Sequence, residues 1–398
     1  MISYPEALAL LLAESAPAGV ERVDMEIAQR RILARDVVAP LDLPSFDNAA
    51  MDGYAVHAGH ERIAAGSVYR VAAMHAAGET TSAYPGAEAC EIATGARMPS
   101  GFDTVVAVER TERTGDHVRF TAEEAPRQNV RYAGSDIAAG VIALEKGRRI
   151  DASAIMLLAA LGMERADVVR KTRMAIITTG SELNACGPLP EGGIHDSNGP
   201  FLHGSASSWG ADVVVRARVP DTGRAFHDAV IAAREAGADL IVTTGAVSAG
   251  RFDFVPEALA SLGARALFHK VAIRPGKPLL AARFDKGPLV VALPGNPIAV
   301  AVGYRFFVAP VLRAMSGLAP EQPVRIRLDA PATARPGLMH FGLGALVTGD
   351  DGSRLARLIP SQAAYRIVPY AQADLWLTTR DAYGDAVDAW PLDPAEAR

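Results

Sequence analysis

The chain is poor in several things that would each point to a function. It has two cysteines, Cys90 and Cys186, without the paired spacing of a metal site or a disulfide framework. A reduced setting, with both as small apolar residues, is the simple expectation. It has no excess of basic residues. The formal net charge is −5, which argues against general nucleic-acid binding, because that needs a basic surface. The start, Met1-Ile-Ser-Tyr-Pro-Glu, has neither the basic beginning nor the apolar core of a signal peptide. No apolar run reads as long and uninterrupted enough to span a bilayer. A Walker loop, a Ser–His–Asp order and a Cys/His metal pattern are also missing. The expectation is a soluble, cytoplasmic protein whose partners are small molecules, with no nucleic acid and no membrane among them.

What the chain does have is three apolar runs of strand length, each broken by a Gly turn. They are Met174-Ala-Ile-Ile-Thr-Thr-Gly180-Ser181-Glu182, Asp239-Leu-Ile-Val-Thr-Thr-Gly245-Ala-Val-Ser248, and Leu289-Val-Val-Ala-Leu-Pro294-Gly295-Asn296-Pro297. Runs rich in β-branched residues suit parallel strands buried on both faces. In an open α/β sheet, ligands bind outside the carboxyl ends of such strands. Gly lets backbone approach the ligand, and helix N-termini offer N–H groups to anions. Three such turns in one sheet predict a shared pocket for a phosphate-bearing small molecule.

With 398 residues the chain exceeds one ordinary core, so two to four domains are expected. Residues 4–15 predict an amphipathic helix with Leu8, Leu11 and Leu12 on one face. From about Asp52 to Gly140, short β runs alternate with Gly and Pro turns, as in an inserted β-rich module. A capped helix follows Asp151 and stops at Gly162. Between 172 and 316, strands at 174–179, 212–219, 239–244 and 289–293 alternate with helices at 200–209, 223–236, 254–262 and 297–315. That alternation implies a parallel sheet covered on both faces. Runs at 324–329, 338–347, 354–359 and 374–379 predict a small all-β terminal domain.

Charged residues gather around these turns. Arg274-Pro-Gly-Lys277-Pro is a stiff turn whose cations suit phosphates and oxyanions. Glu182, Asp221 and Asp253 lie at or just after strand ends, and several carboxylates on one rim can hold Mg²⁺. Asp221-Thr222 also suits a helix cap. Ser197 and Asn198 precede a helix and suit capping and anion contact. His195 is expected to pack or hydrogen-bond.

Asp47-Asn-Ala-Ala-Met-Asp52-Gly-Tyr-Ala-Val, Thr94-Gly-Ala-x-x-Pro99, Thr179-Gly-Ser-Glu182-Leu, Asp196-Ser-Asn198, Pro275-Gly-Lys277-Pro and Pro294-Gly-Asn296-Pro297 together form a specific set. In it the chain resembles the molybdopterin molybdenumtransferases, the MoeA family, to which the gephyrin E domain is related. The resemblance implies a multidomain α/β plus β protein. Its expected parts are a discontinuous linking domain (1–45 and 141–171), an inserted β-rich domain (46–140), an α/β molybdopterin-binding domain (172–316) and a C-terminal β-barrel (317–398). It implies a homodimer with a site shared between subunits, working beside other molybdenum cofactor synthesis proteins. The implied reaction inserts molybdate-derived metal into adenylylated molybdopterin and releases AMP, with Mg²⁺ or a similar cation. The implied catalytic residues are Asp52, Thr94, Asp136 and Glu182, and the metal ligands are Glu182, Asp221 and Asp253. Substrate contacts fall to Gly180, Ser181, Ser197, Asn198, Asp221, Gly245, Ser248, Arg251, Arg274, Lys277, Pro294, Asn296 and Pro297.

The chain departs from the usual family pattern near that site. Ala49 lacks a usual serine hydroxyl, Ser181 stands for an acid, Ala246 for a glycine, Arg251 for an acid and Arg274 for a lysine. Such a cluster also suits a non-catalytic molybdopterin carrier, a tungsten-specific variant, or a pterin- or nucleotide-phosphate hydrolase.

Overall fold

The computed structural model describes residues 1–80, 83–247, 254–331, 334, 336–380 and 386–393. At its centre runs Arg173–Thr179 (β1), whose Met174 and Ile176 face one hydrophobic layer while Ala175 and Ile177 face the other. A strand covered on both sides needs apolar residues in succession, and Met174 to Ile177 supply them. Asp212–Val219 (β2), Leu240–Thr244 (β3), Ala264–His269 (β4), Leu280–Phe284 (β5) and Leu289–Leu293 (β6) complete a sheet in the order β2-β1-β3-β6-β5-β4.

Strands β2, β1, β3 and β6 are parallel. The last two are not: β5 pairs antiparallel with β6, and β4 with β5. The sheet is therefore mixed, where the alternation of strands and helices implied a parallel one. The connections explain the difference. A parallel crossover needs a dozen or more residues. The links 270–279 and 285–288 are shorter and can only turn back.

Asn198–Trp209 (α1) packs on one face with Pro297–Gly303 (α4), which runs through a π turn at Tyr304–Val308 into Ala309–Met315 (α5). Gly223–Glu235 (α2) and Val255–Ser261 (α3) cover the other face. Thr222 caps α2, its hydroxyl accepting from the Ala225 N–H. The stretch Pro297–Met315 is long and apolar enough to cross a membrane, contrary to the expectation that no run would be. Its most apolar window is 83 % buried inside the protein, the situation of a core helix.

The N-terminal helix Tyr4–Ala13 opens with a Ser3–Glu6 capping box and sends Leu11 into the same core as α4. Val20–Asp24 pairs with Arg165–Val169, and Val37–Val38 with Ile142–Leu144, so segments on either side of the β-rich stretch meet. Between them, Thr104–Ala107, Gly53–Val56, Ala89–Ile92, Val68–His75, His117–Phe120 and Thr111–Thr114 form a mixed six-stranded sheet in that order. The helix Ala152–Ala160 follows, capped by Asp151.

Beyond α5, the strands Met339–Thr348, Arg354–Leu358, Val324–Leu328, Ala386–Pro391 and Leu375–Thr379 close on themselves, because the last pairs with the first. The result is a five-stranded barrel that leaves no free sheet edge. It shares a core with the α/β layer, where the Phe306 and Phe341 rings lie 4.3 Å apart and Trp376 meets Phe306 edge-on.

Candidate active site

The chain leaves β1 toward β2 on one side, then returns past β1 to add β3 on the other. The crevice between the ends of β1 and β3 is thus a topological switch point, where open α/β sheets bind ligands. Gly180 and Gly245 flank it. Gly180 N–H donates to Val219 O at 3.1 Å, and Gly245 N–H donates to Leu293 O at 3.1 Å. The Thr179 hydroxyl donates to Thr244 O at 3.1 Å, so all four parallel strands are tied together at this end. Gly295 follows β6 and lies against Gly245. The Asn198 amide, at the start of α1, donates to Gly295 O at 2.8 Å. Just before it, Asp196 holds the helix end by accepting from Gly199 N–H at 2.9 Å and from the Thr178 hydroxyl at 3.0 Å. Ser197 and Asn296 occupy N-cap positions without a side-chain capping bond and are exposed. Pro294 is buried, and Pro297 opens α4.

Ser181 and Asp221 bond reciprocally. Ser181 N–H donates to Asp221 Oδ2 at 3.0 Å, and Asp221 N–H donates to Ser181 Oγ at 3.2 Å. Asp221 is therefore a clamp between β1 and β2, and Thr222 alone caps α2. An acid at position 181, which the family resemblance implies there, would face the Asp221 carboxylate; the serine hydroxyl instead accepts from its backbone. The Glu182 carboxylate is exposed and folded over Gly180, within 2.9 Å of where a Cβ would stand. No group of three acids, histidines or cysteines with metal-binding geometry occurs among the described residues. Ser248, Arg251 and Asp253 lie outside the described residues.

Ala246 has φ +51, the left-handed region in which an L-residue is strained by about 1 kcal/mol. The glycine usual at this position would escape that strain. His269 Nε2 lies 3.0 Å from Val247 O beside it. His195 meets Gly187 O at 3.0 Å, the hydrogen-bonding role expected of it.

The Arg274–Lys277 turn leads from β4 to β5 and is tied to the barrel by pairing of Ile273–Arg274 with Met339 and His340. Between turn and barrel lies a cavity of about 980 Å³. Arg274 and Lys277 line one wall, His340 and Arg366 the other, and Ile298 of α4 joins it to the Pro294–Pro297 turn. The chain pattern gave no signal for His340 and Arg366, because they belong to a different domain and come to the cavity through barrel closure.

On the β-rich sheet, Asp52 Oδ1 accepts from Thr94 N–H at 2.6 Å and from the Thr94 hydroxyl at 2.9 Å. These two bonds, the backbone one foremost, hold the Asp52 carboxyl below the usual carboxylate range. Ala49 is fully buried among Ala55, Cys90 and Val105, so the missing hydroxyl belongs to a core position and not to the exposed face beside Asp52. Asp136 is exposed, its N–H donating to Leu43 O at 2.9 Å. Among the described residues, no hydrogen bond joins Asp52, Thr94 or Asp136 to the strand-end rim.

An α/β domain with Gly turns at its switch point, a β-rich module and a closed barrel together define a multidomain protein built to bind an anionic small molecule. Two family models match it: the MoeA N-terminal region (domain I and II) over residues 2–162, and the "Probable molybdopterin binding domain" over residues 175–314. The chain is 40 % identical to the molybdopterin molybdenumtransferase of Synechococcus elongatus over 79 % of its own length and 80 % of the relative's. It is 37 % identical to molybdopterin molybdenumtransferase 2 of Mycobacterium tuberculosis over 78 % of each. A solved molybdopterin biosynthesis MoeA protein from Pyrococcus horikosii superposes with a TM-score of 0.84 at 27 % identity, covering 98 % of this chain and 99 % of that one. The chain belongs to the MoeA family of molybdopterin molybdenumtransferases.

Proposed function

We propose that this protein takes adenylylated molybdopterin and molybdate, inserts the metal into the dithiolene and releases AMP. The observation that carries this reading is the row of Gly turns at the strand ends, which runs through α4 into the cavity of Arg274 and Lys277. The printed names of the relatives support it. Gly295 and Asn296 of the Pro294–Pro297 turn offer backbone N–H groups to the phosphates, while Gly180, Ser181 and Gly245, whose own N–H groups are bonded within the rim, let the ligand approach closely, with Ser197, Asn198 and Asn296 at helix starts. Arg274 and Lys277 hold the molybdate oxyanion, Arg by two parallel bonds and Lys as a point charge. Ser248 and Arg251 enter this reading through their place in the sequence motif alone.

Glu182 and Asp221 suit Mg²⁺, with Asp253 as the third acid in the motif. Both are oxygen donors, and Asp221 keeps one carboxylate oxygen beyond its bond to Ser181. Mg²⁺ takes few protein ligands and completes its shell with phosphate oxygens and water. When bound, it would neutralise charge on the departing phosphate. Asp52, oriented by Thr94, acts with Asp136 and Glu182 on the reacting groups.

Purified protein given adenylylated molybdopterin, Mg²⁺ and molybdate is expected to release AMP and to yield a product that reconstitutes an apo-molybdoenzyme. Arg274→Ala and Lys277→Ala should each raise the molybdate concentration for half-maximal rate about tenfold, the loss of one charge-assisted contact. Binding of the adenylylated pterin with no AMP release would make the chain a carrier instead. A run with tungstate in place of molybdate decides the metal.

The active form is a homodimer in this reading, with the Asp52–Thr94 face of one subunit meeting the strand-end rim of the other. The lack of any described bond between these two groups in one chain supports it. Light scattering is expected to give twice the chain mass; a fully active monomer would contradict the shared site.

A further inference from the structure

The strand Val68–His75 of the β-rich sheet alternates outward and inward residues, and a histidine takes its last inward position. His75 is fully buried. Its Nδ1 lies 3.0 Å from the Tyr84 hydroxyl and 3.4 Å from Glu79 Oε2. Its Nε2 is buried with no hydrogen-bond partner among the described residues. An apolar side chain, such as that of Val71 at the previous buried position, would fill this place without leaving a polar atom unpaired. The ring is therefore kept for the bonds at Nδ1 and not for bulk.

Those bonds stand directly behind Thr94. His75 is in parallel register with Ile92, and its carbonyl accepts from Ala93 N–H at 3.1 Å. In the turn that follows, Gly95 N–H donates to Ala49 O at 2.9 Å and Ala96 N–H to Ala93 O at 3.0 Å. Thr94 N–H alone of these four points out of the turn, to Asp52 Oδ1. Its aim is set by the carbonyls that hold its neighbours. Ala49 is locked in the core. His75 O sits at a strand end, where the chain turns away, so its place depends on what anchors His75.

The ring supplies that anchor. Glu79 Oε2 accepts from Ala76 N–H at 3.3 Å, and Glu79 N–H donates to Ala76 O at 3.3 Å, so one carboxylate joins the ring to the turn after it. Tyr84 meets the ring edge-on and packs against Ala49, Ile92 and Ala96, beneath the Thr94 turn. Ala83 bridges Ser100 just beyond the same turn.

We propose that His75 is a positioning residue for Asp52, acting through Tyr84 and the His75 carbonyl to aim both donors of Thr94 at the carboxylate. The proposal rests on the reading that places Asp52 among the reacting groups. Neither His75 nor Tyr84 touches substrate in it.

The test follows the Asp52 carboxyl carbon resonance against pH in full-length protein isotope-labelled at aspartate, with Asp52→Asn as the assignment control. His75→Phe keeps a ring and loses Nδ1; Tyr84→Phe loses one oxygen and is the variant least able to disturb the fold. In both, the Asp52 midpoint is expected to move upward from its wild-type position toward the ordinary carboxylate value, because the donors no longer converge on the charged form. His75→Asn places an amide where Nδ1 stood and drops the unpartnered Nε2. It should return the Asp52 midpoint to the wild-type position even if the smaller side chain lowers thermal stability. A merely structural histidine would give the reverse order, with stability following side-chain volume and the Asp52 midpoint unmoved. AMP release is the second arm: kcat should fall about tenfold in His75→Phe with KM for the adenylylated pterin unchanged, the result of a misaimed group. The titration needs no substrate, so wild-type turnover in Asp52→Ala would remove the reading of Asp52 without touching the link to His75. An Asp52 midpoint that stays at its wild-type position in both His75→Phe and Tyr84→Phe overturns the proposal.

Discussion

Asp52→Ala is expected to slow AMP release by about 100-fold or more while leaving the protein folded, the usual scale for losing a positioned acid–base group. Asp52 is exposed and carries no core packing, so the fold has little stake in it. The Thr94 N–H and hydroxyl are what make it distinctive. Both stabilise the charged form, so the carboxylate stays ionised below the ordinary Asp value of about 3.9. The sign for activity follows. If the ionised form is the working form, the acid limb of the rate profile in the wild type lies below that value. Thr94→Val keeps the backbone donor and removes the hydroxyl, so the limb should move upward toward the ordinary value without passing it. For stability, a lowered carboxyl contributes above its unfolded-state value and loses that contribution as pH falls through its folded value. With the group in solvent, that contribution is small. Measuring AMP release against pH for wild type, Thr94→Val, Asp52→Ala and Asp52→Asn separates these cases. Wild-type turnover in both Asp52 variants would remove Asp52 from the site.

The sequence carried the central strands because burial on both faces leaves little freedom in composition. Met174 to Ile177, Leu240 to Val242 and Leu289 to Ala292 have no polar positions to confuse the pattern. It was silent on Ala264–His269, whose residues are mostly half-buried or exposed and which lies at the sheet edge. It was silent too on the fifth barrel strand, Ala386–Pro391, where half-buried Asp388 and Trp390 weaken the alternation.

The same contrast holds for the candidate site. Gly180, Gly245 and Gly295 were legible because a turn is local. The Asp52–Thr94 and Ser181–Asp221 bonds join residues 42 and 40 positions apart, a separation no spacing rule covers. For Asp52 and Thr94 the family motifs supplied the residues, and the fold supplied the bond. Arg366 and His340 had neither a local turn nor a quoted motif, and only closure of the barrel brings them to the cavity.

Gly245→Ala is expected to destabilise the protein by roughly 2–4 kcal/mol, the sum of left-handed backbone strain and forced overpacking. Gly245 has φ +92, and a Cβ built on it would lie 2.4 Å from Thr179 Oγ1 and 2.6 Å from Thr179 O. The hydroxyl can rotate away; the carbonyl belongs to the neighbouring strand and cannot. Relief therefore requires the end of β3 to move from β1. That movement strains the bond from Gly245 N–H to Leu293 O and the one from the Thr179 hydroxyl to Thr244 O. The two strand ends that frame the switch-point crevice would separate, so ligand affinity should fall together with stability. Gly295→Ala is the matched control. Its Cβ would meet only Gly245 Cα, at an ordinary 3.8 Å, and its backbone is not left-handed. That variant should unfold within about 0.5 kcal/mol of wild type, as surface changes do. It should still bind the adenylylated pterin less well, because a methyl group then stands where backbone meets ligand. Urea unfolding and pterin binding measured on both variants give the two effects separately. A Gly245→Ala protein as stable as wild type would show that β3 can move freely, and the rigid rim assigned to the candidate site would have to be given up.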